Sequence, residues 1–101
     1  MYTQLIKNTT YTFKVSSGEE FIAKIIETSP TYLKIDTPVS IAGGNKGLQL
    51  IPSMFTADPD SSVMLNTSCV VMCTLTEDSI RMKYVEATTG IQVPDKKIIL
   101  G

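Results

Sequence analysis

Histidine and tryptophan are absent from this 101-residue chain, and cysteine occurs only twice. Histidine is the usual base beside a serine or cysteine nucleophile and a common zinc ligand, so its absence removes the ordinary form of both kinds of site. A lysine or a carboxylate can replace it as a base, but the spacing of these residues indicates no such pair. We therefore expect a protein that is not an enzyme and that has no metal site and no cofactor.

An excess of charge of one sign and long apolar runs are also missing. Nine basic and ten acidic residues give a formal net charge of -1, so no overall field attracts nucleic acid or a membrane. No segment reaches the roughly eighteen apolar residues of a membrane span. Polar residues interrupt the first ten positions, which argues against a secretory signal. We expect no membrane partner and a cytoplasmic location.

The two cysteines, Cys69 and Cys73, are predicted to be reduced. If both lie on one strand, their Cα atoms are about 13 Å apart, which is too far for a disulfide. They would then share one face of that strand, where free cysteine packs as a small hydrophobic residue.

Alternation of apolar and polar residues predicts five strands in one domain that covers residues 1–101. They span residues 10–16, 20–28, 31–37, 48–55 and 63–75. Gly18 is placed for a tight turn between the first two strands. Pro38 is expected to end the third strand or to begin a continuation, and Pro52 places the fourth strand at an edge or on a bulge. The glycine-rich residues 42–47 are predicted to form a loop.

The hydrophobic period changes after Thr76. Thr76 offers a hydroxyl cap ahead of acidic residues, and apolar residues follow at helical spacing from Ile80 onward. Gly90 is suited to end a helix in a left-handed conformation. We predict a helix over about 77–89 and a tail over 91–101.

A lysine stands near the middle of each of the first three strands, at Lys14, Lys24 and Lys34. Each faces away from the predicted core residues of its strand, so neighbouring antiparallel strands place three ammonium groups on one face. This face is either a weak phosphate-contact surface or an ordinary solvated face that nearby carboxylates neutralise. The carboxylates are Glu20, Glu27 and Asp36.

Residues 11–36, with the sequence YTFKVSSGEEFIAKIIETSPTYLKID, resemble the first conserved motif of Sm-like proteins. In that family a strand leads to an Asp-Gly turn, a bent strand follows, and a third strand begins near an Asn-Leu pair. Here Gly18 stands at the turn and Tyr32 stands near the Asn-Leu pair. Asn66 falls where the second motif, an Ile-Arg-Gly strand start, would lie. The resemblance covers roughly residues 11–75, and few letters match.

A closer likeness is to small Sm-like proteins encoded by tailed phages of marine bacteria. The shared features are the SGEE turn at residues 17–20, an acidic loop over 57–60, and a C-terminal helix that leads into a short tail. This likeness implies a phage origin and a location in the cytoplasm of a bacterial host.

The family fold is a small, strongly bent, five-stranded antiparallel barrel whose fourth and fifth strands pair between neighbours to close a ring. For this chain the resemblance implies a mainly β, Sm-like barrel over about 10–75 with a C-terminal α-helix, assembled as a homo-oligomeric ring of roughly five to seven subunits. A neighbour would explain why residues 69–73 are apolar on both faces; the alternative is that the C-terminal helix covers the second face. The candidate interface residues are Leu50, Met54, Val70 and Met72.

Members of the family that bind uridine-rich RNA use an asparagine near the position of Tyr32 and an arginine near that of Asn66, and this chain has neither residue there. Tyrosine can stack on a base and asparagine can contact a base edge. The candidate nucleic-acid residues are therefore Tyr32, Asn66 and Lys34.

Two functional hypotheses follow from the resemblance. The first is a ring that binds single-stranded RNA. The second is an oligomeric scaffold or protein-binding adaptor of phage origin, without a nucleic-acid ligand. The second would use apolar residues that we expect to be exposed, namely Ile22, Ile26 and the segment 52–55.

Overall fold

The computed structural model describes residues 5–44 and 47–89. The strands are β1 (Thr10–Val15), β2 (Glu20–Thr28), β3 (Tyr32–Gly44), β4 (Gly47–Pro52), β5 (Val63–Asn66) and β6 (Val70–Leu75), and the helix is α1 (Asp78–Thr89). A 3₁₀ turn, Thr67–Cys69, separates β5 from β6. The mainly β class and the C-terminal helix are confirmed, whereas Gly90 and the tail over 91–101 lie outside the described residues. No helix within that part of the chain is long and apolar enough to cross a membrane.

All six strands belong to one antiparallel sheet. Its order is β4-β3-β2-β1-β6, and β5 pairs with the first half of β3 while β4 pairs with the second half. Within residues 5–44 and 47–89, β4 and β6 are thus the two ends of the path, and the sheet is not closed into a barrel. The antiparallel sheet is confirmed, while the closed five-stranded barrel is not.

The main core lies on one face of this sheet. It is formed by Tyr11, Phe13, Phe21, Ala23, Ile25, Leu33 and Ile35. These are the inward members of the alternation predicted for the first three strands, and each large side chain contributes about 1.5–3 kcal/mol by leaving water. Phe13 and Phe21 are register partners, and their rings stack with centroids 5.2 Å apart.

Helix α1 lies on the opposite face of the sheet. Its Tyr84 packs on Ile22 and Val39 in a second buried cluster. Because Ile22 is only 1% exposed, the expectation that it is open to a protein partner is wrong. The helix does not cover the second face of β6 either, since Val71 and Met72 remain 60% and 65% exposed.

Of the two alternatives at Pro38, the structure shows the continuation, and β3 runs on to Gly44. It continues through Pro38 because the register with β2 shifts at this point, and a bulge accepts a residue that has no N–H group. Gly43 and Gly44 extend β3, and Gly47 begins β4 as the register partner of Gly44. The predicted loop over 42–47 is therefore wrong for these glycines, and residues 45 and 46 lie outside the described ranges.

The later strands differ from the prediction at their ends. The fourth strand ends at Pro52 rather than at residue 55, and it does lie at an edge. The predicted fifth strand is two strands because Asn66 starts the 3₁₀ turn: its Oδ1 accepts the backbone N–H of Ser68 at 3.0 Å. Cys69 belongs to this turn and Cys73 to β6, so they do not share one strand; both are free thiols.

The start of α1 is close to the predicted bound, but the capping residue is different. Thr76 is buried, and its hydroxyl pairs with that of Thr12 at 3.0 Å. Glu77 caps the helix instead: its Oε1 accepts the hydroxyl of Ser79 at 2.6 Å and the backbone N–H of Ile80 at 3.2 Å. These two bonds, the one from Ser79 first, lower the pKa of Glu77.

Candidate functional site

Tyr32 and Asn66 lie opposite each other across the antiparallel pairing of β3 with β5. Directly paired residues have Cβ atoms about 4.5–5.5 Å apart, so the two side chains leave the sheet side by side. Leu33, the next residue of β3, is fully buried in the main core. Tyr32 and Asn66 therefore stand on the outer face.

Lys34 stands on the same face, two residues further along β3. Its register partners are Glu27 on β2 and Met64 on β5. The structure thus brings the three predicted nucleic-acid residues together. We call this surface the β3–β5 patch, and it consists of Tyr32, Lys34, Asn66, Glu27 and Met64.

Sequence reasoning missed Met64 as a member of the β3–β5 patch. Met64 is 57% exposed, although it lies in a strand predicted mainly for its apolar character. Only the register of β5 against β3 places it beside Lys34. The alternation of Val63 and Leu65, which pack against the main core, is the signal that could have assigned Met64 to the outer face.

The 3₁₀ turn orients the Asn66 side chain. Its Oδ1 accepts both the backbone N–H of Ser68 at 3.0 Å and the hydroxyl of Ser68 at 2.9 Å. The turn is tied to the loop before β3, because the backbone N–H of Thr67 donates to the carbonyl oxygen of Thr31 at 3.1 Å. With its oxygen occupied, Asn66 offers a ligand its Nδ2 group, which donates hydrogen bonds to acceptors such as base carbonyls.

Each of the three strand lysines lies opposite a carboxylate in the sheet. The pairs are Lys14 with Glu20, Lys24 with Asp36, and Lys34 with Glu27. Opposite charges in directly paired positions stabilise a sheet by about 0.2–1 kcal/mol. This register matches the solvated, neutralised face better than a phosphate-binding stripe, so any contact with nucleic acid has to depend on more than charge.

The four predicted interface residues fall into two groups. Met54 and Met72 are 51% and 65% exposed. Leu50 and Val70 are half-buried, Leu50 against the cluster under α1 and Val70 against the main core. Leu50 lies on β4, and Val70 and Met72 lie on β6, the two ends of the sheet path.

Other exposed apolar residues on β6 were not singled out from the sequence. Val71 and Leu75 are 60% and 62% exposed. Phe55, just after β4 and within the segment 52–55 that was expected to be exposed, is 80% exposed. Val71 is the extra residue of a bulge, since Val70 pairs with Val15 while Met72 pairs with Lys14. An apolar edge strand of this kind is a template for pairing with another chain.

The described part of the chain contains no cluster of side chains that could bind a metal ion. Among residues 5–44 and 47–89, no three Cys, Asp or Glu side chains are grouped so that they could hold a metal ion.

Comparison with known proteins places the chain in no family. No protein-family model matches it, and no curated protein matches it. The Sm-like and phage resemblances therefore remain inferences from the pattern of the sequence.

Proposed function

We propose that this chain is a non-enzymatic, Sm-like, ring-forming protein that binds single-stranded RNA through the β3–β5 patch. The observation that carries the proposal is the register pairing of Tyr32 with Asn66. It sets an aromatic ring for stacking beside an amide donor on an open face, which is the combination that single-stranded RNA sites use. Lys34 lies one step further along the same face, within reach of a backbone phosphate.

The arrangement of the edges supports ring formation. If β4 and β5 together correspond to the fourth strand of the Sm-like fold, and β6 to its fifth, the strands that pair between neighbours are the ones that end the sheet path. In the proposed ring, β6 of one subunit pairs with β4 of the next, which buries the exposed side chains of Val71 and Met72. Such a head-to-tail contact closes into a cyclic assembly of roughly five to seven subunits.

Recognition in this proposal depends on the base more than on the phosphate. Lys34 is paired with Glu27 across the ladder, so the patch has little net charge. Stacking on Tyr32 contributes about 1–3 kcal/mol for each base bound. The salt dependence is correspondingly modest, with a slope of about -0.7 in log K against log salt for each phosphate contacted.

Fluorescence anisotropy with a labelled, uridine-rich RNA oligonucleotide tests the site. We expect Tyr32→Ala to weaken binding by about tenfold or more because the stacking surface is lost, while Tyr32→Phe keeps that surface and binds nearly as the unmodified chain. Asn66→Asp keeps the oxygen that caps the 3₁₀ turn but replaces the Nδ2 donor, so it should also weaken binding in a folded protein. An RNA signal that survives Tyr32→Ala combined with Asn66→Asp would show that the site is elsewhere.

A second candidate is an oligomeric scaffold or protein-binding adaptor of phage origin, acting in the cytoplasm of a bacterial host without nucleic acid. The exposed neighbours Met54 and Phe55, at 51% and 80%, favour it, because large apolar side chains exposed together mark protein-contact surfaces. Rings that fail to bind any oligonucleotide at low salt would select this candidate over the first.

A further inference from the structure

A partly open cavity of about 540 Å³, with mixed polar and apolar walls, lies between α1 and the outer face of the sheet. Lys24 of β2, Asp36 and Thr37 of β3, and Arg81 and Tyr84 of α1 contribute to its walls. Its volume falls within the roughly 300–1,000 Å³ that is typical of small-molecule sites. The cavity exists because the C-terminal helix packs on this face, and it shares no residue with the β3–β5 patch.

Two residues of the cavity wall have a left-handed backbone. Asn8 has a φ of 63° and Thr37 a φ of 47°, and they are the non-glycine residues with positive φ within 5–44 and 47–89. Asparagine tolerates this region, but Thr37 is β-branched and precedes Pro38, and both features disfavour it. Residues held in such conformations concentrate at ligand sites, where the surrounding structure has to maintain them.

Tyr84 maintains the conformation at Thr37. Its side chain is 3% exposed, and its hydroxyl lies 2.9 Å from the carbonyl oxygens of both Asp36 and Thr37, to which it donates. The helix thereby fixes this part of β3 relative to Arg81. The cavity is therefore formed before any ligand arrives, which lowers the entropy cost of binding.

The charged groups of the cavity come from opposite walls. Lys24 projects from the sheet and Arg81 from the helix, with Asp36 as the acidic member of the lining. Four threonines also line the cavity: Thr9, Thr10, Thr37 and Thr88. The hydroxyls of Thr9 and Thr88 already donate to the carbonyl oxygens of Lys7 and Tyr84, at 3.3 Å and 2.8 Å. Two cations with hydroxyl neighbours match a phosphate group, which carries about -1.5 to -2 charge at pH 7 and three acceptor oxygens, whereas a carboxylate requires only one cation.

Arg81 can turn to a ligand at little cost. Arg81 pairs with Asp78 at 3.2 Å, but the two side chains are 44% and 90% exposed, and an exposed pair at this spacing is weak. Lys24 is half-buried and lies opposite Asp36 in the register. Since Asp78 is solvated, the loss of its partner leaves no buried charge behind.

We propose that this cavity binds a small phosphomonoester, with Arg81 and Lys24 on the phosphate and Asp36 on a hydroxyl or amino group of the organic part. Nucleoside monophosphates and sugar phosphates share this chemistry. The site goes beyond the proposed RNA function, because it requires neither a ring nor the β3–β5 patch.

Isothermal titration calorimetry of the full chain with adenosine 5′-monophosphate, ribose 5-phosphate and adenosine tests the proposal. We expect a phosphorylated ligand to bind at one per chain, and adenosine, which has no phosphate, not to bind. Equal affinity for the two phosphorylated compounds identifies a sugar-phosphate site, and binding of the nucleotide alone identifies a nucleotide site. Absence of binding by both at millimolar concentration overturns the proposal.

Matched substitutions show whether the binding occurs in this cavity. Arg81→Gln should weaken it by about tenfold, whereas Lys83→Gln, on the exposed side of the same helix and away from the cavity wall, should not. Lys24→Gln should likewise weaken it, with Lys14→Gln as the sheet control. If Arg81→Gln and Lys83→Gln lowered the affinity for the phosphorylated ligand equally, with unchanged thermal unfolding, the binding would be nonspecific charge attraction and the assignment would be overturned.

Discussion

Tyr84 joins the helix to the sheet through both its ring and its hydroxyl group. The ring packs on Ile22 and Val39, and the hydroxyl donates to the carbonyl oxygens of Asp36 and Thr37. Burial raises the pKa of this tyrosine to about 12, so it remains a neutral donor throughout the physiological range. One residue therefore supports both the apolar contact of α1 and the backbone conformation beside the cavity.

Replacing Tyr84 by phenylalanine tests this role. Tyr84→Phe keeps the ring but removes the one hydroxyl proton that the two carbonyl oxygens share, so we expect the free energy of unfolding to fall by about 1–2 kcal/mol. Tyr32→Phe, whose hydroxyl lies on the outer face, should change it by less than about 0.5 kcal/mol. Urea unfolding of both variants measures the difference, and equal effects would contradict the role of the Tyr84 hydroxyl.

Alkaline pH should destabilise the fold in two overlapping steps. Burial raises the pKa of the Cys73 thiol from 9.0 to about 11 and that of Tyr84 from 10.0 to about 12. The unfolded chain therefore releases these protons first, so stability is retained below about pH 9 and declines as pH rises from there to about 12. Thermal unfolding from pH 8 to 12 should show a shallower decline for Cys73→Ala at the lower end and for Tyr84→Phe at the upper end. Curves parallel to that of the unmodified chain would contradict the assignment.

Which side chains face the core was largely predictable at this scale. The two-residue period of a strand assigns Phe13, Ala23 and Leu33 to one face, and all three are buried. Ile22 was predicted to be exposed because strand alternation cannot indicate that a helix far along the chain will cover the opposite face. The left-handed Thr37 is likewise set by tertiary contacts with Tyr84, which local sequence does not reveal.

Among the elements, the β1–β2 hairpin depends on its turn. Gly18 has a φ of 92°, a backbone conformation that residues with a side chain rarely adopt. A Cβ added there would meet nothing within 4 Å, so the cost of a substitution comes from the backbone conformation and not from a steric clash. Gly18→Ala should lower the free energy of unfolding by about 1–2 kcal/mol. Gly43→Ala is the matched control, because its Cβ would make only an ordinary 3.8 Å contact with Leu48. Denaturant midpoints compare the two, and a loss at Gly43 as large as that at Gly18 would contradict the explanation.

Element boundaries were predictable where local chemistry determines them. The bounds of β2 agree with the alternation, and α1 begins within one residue of the predicted start. The division of the predicted fifth strand was missed because it depends on Asn66, whose side chain caps a 3₁₀ turn that competes with strand pairing. The sequence could not decide whether β3 ends at Pro38 or continues, because the bulge that accommodates a proline is defined only by the facing strand.

For the whole molecule, the proposed assembly predicts that the exposed edge of β6 is essential. Met72→Lys places a charge in the proposed contact with the next subunit, so it should convert the ring to monomers without unfolding them. Met82→Lys is the control, because Met82 is exposed to a similar degree, 59% against 65%, but lies on α1 and not on an edge strand. Analytical ultracentrifugation measures the outcome. Dissociation by both substitutions, or by neither, would contradict an interface on β6.

The sequence indicated which residues belong to the candidate site but not how they are arranged. Tyr32, Lys34 and Asn66 were chosen by resemblance and by their chemistry, but no local pattern indicates that Tyr32 and Asn66 are register partners. The pairing depends on the register of β5 against β3, and this register is set by where β5 begins after the polar connection that follows β4. The cavity beside α1 was not predicted at all, because Lys24 and Arg81 come from elements that only tertiary packing brings together.

Native mass spectrometry of the purified chain over a range of concentrations tests ring formation, the central claim, most directly. Two open sheet edges with exposed apolar side chains predict one closed species of roughly five to seven copies that persists on dilution. A monomer that persists at high concentration would contradict the ring and leave the β3–β5 patch without the assembly that the RNA proposal assumes.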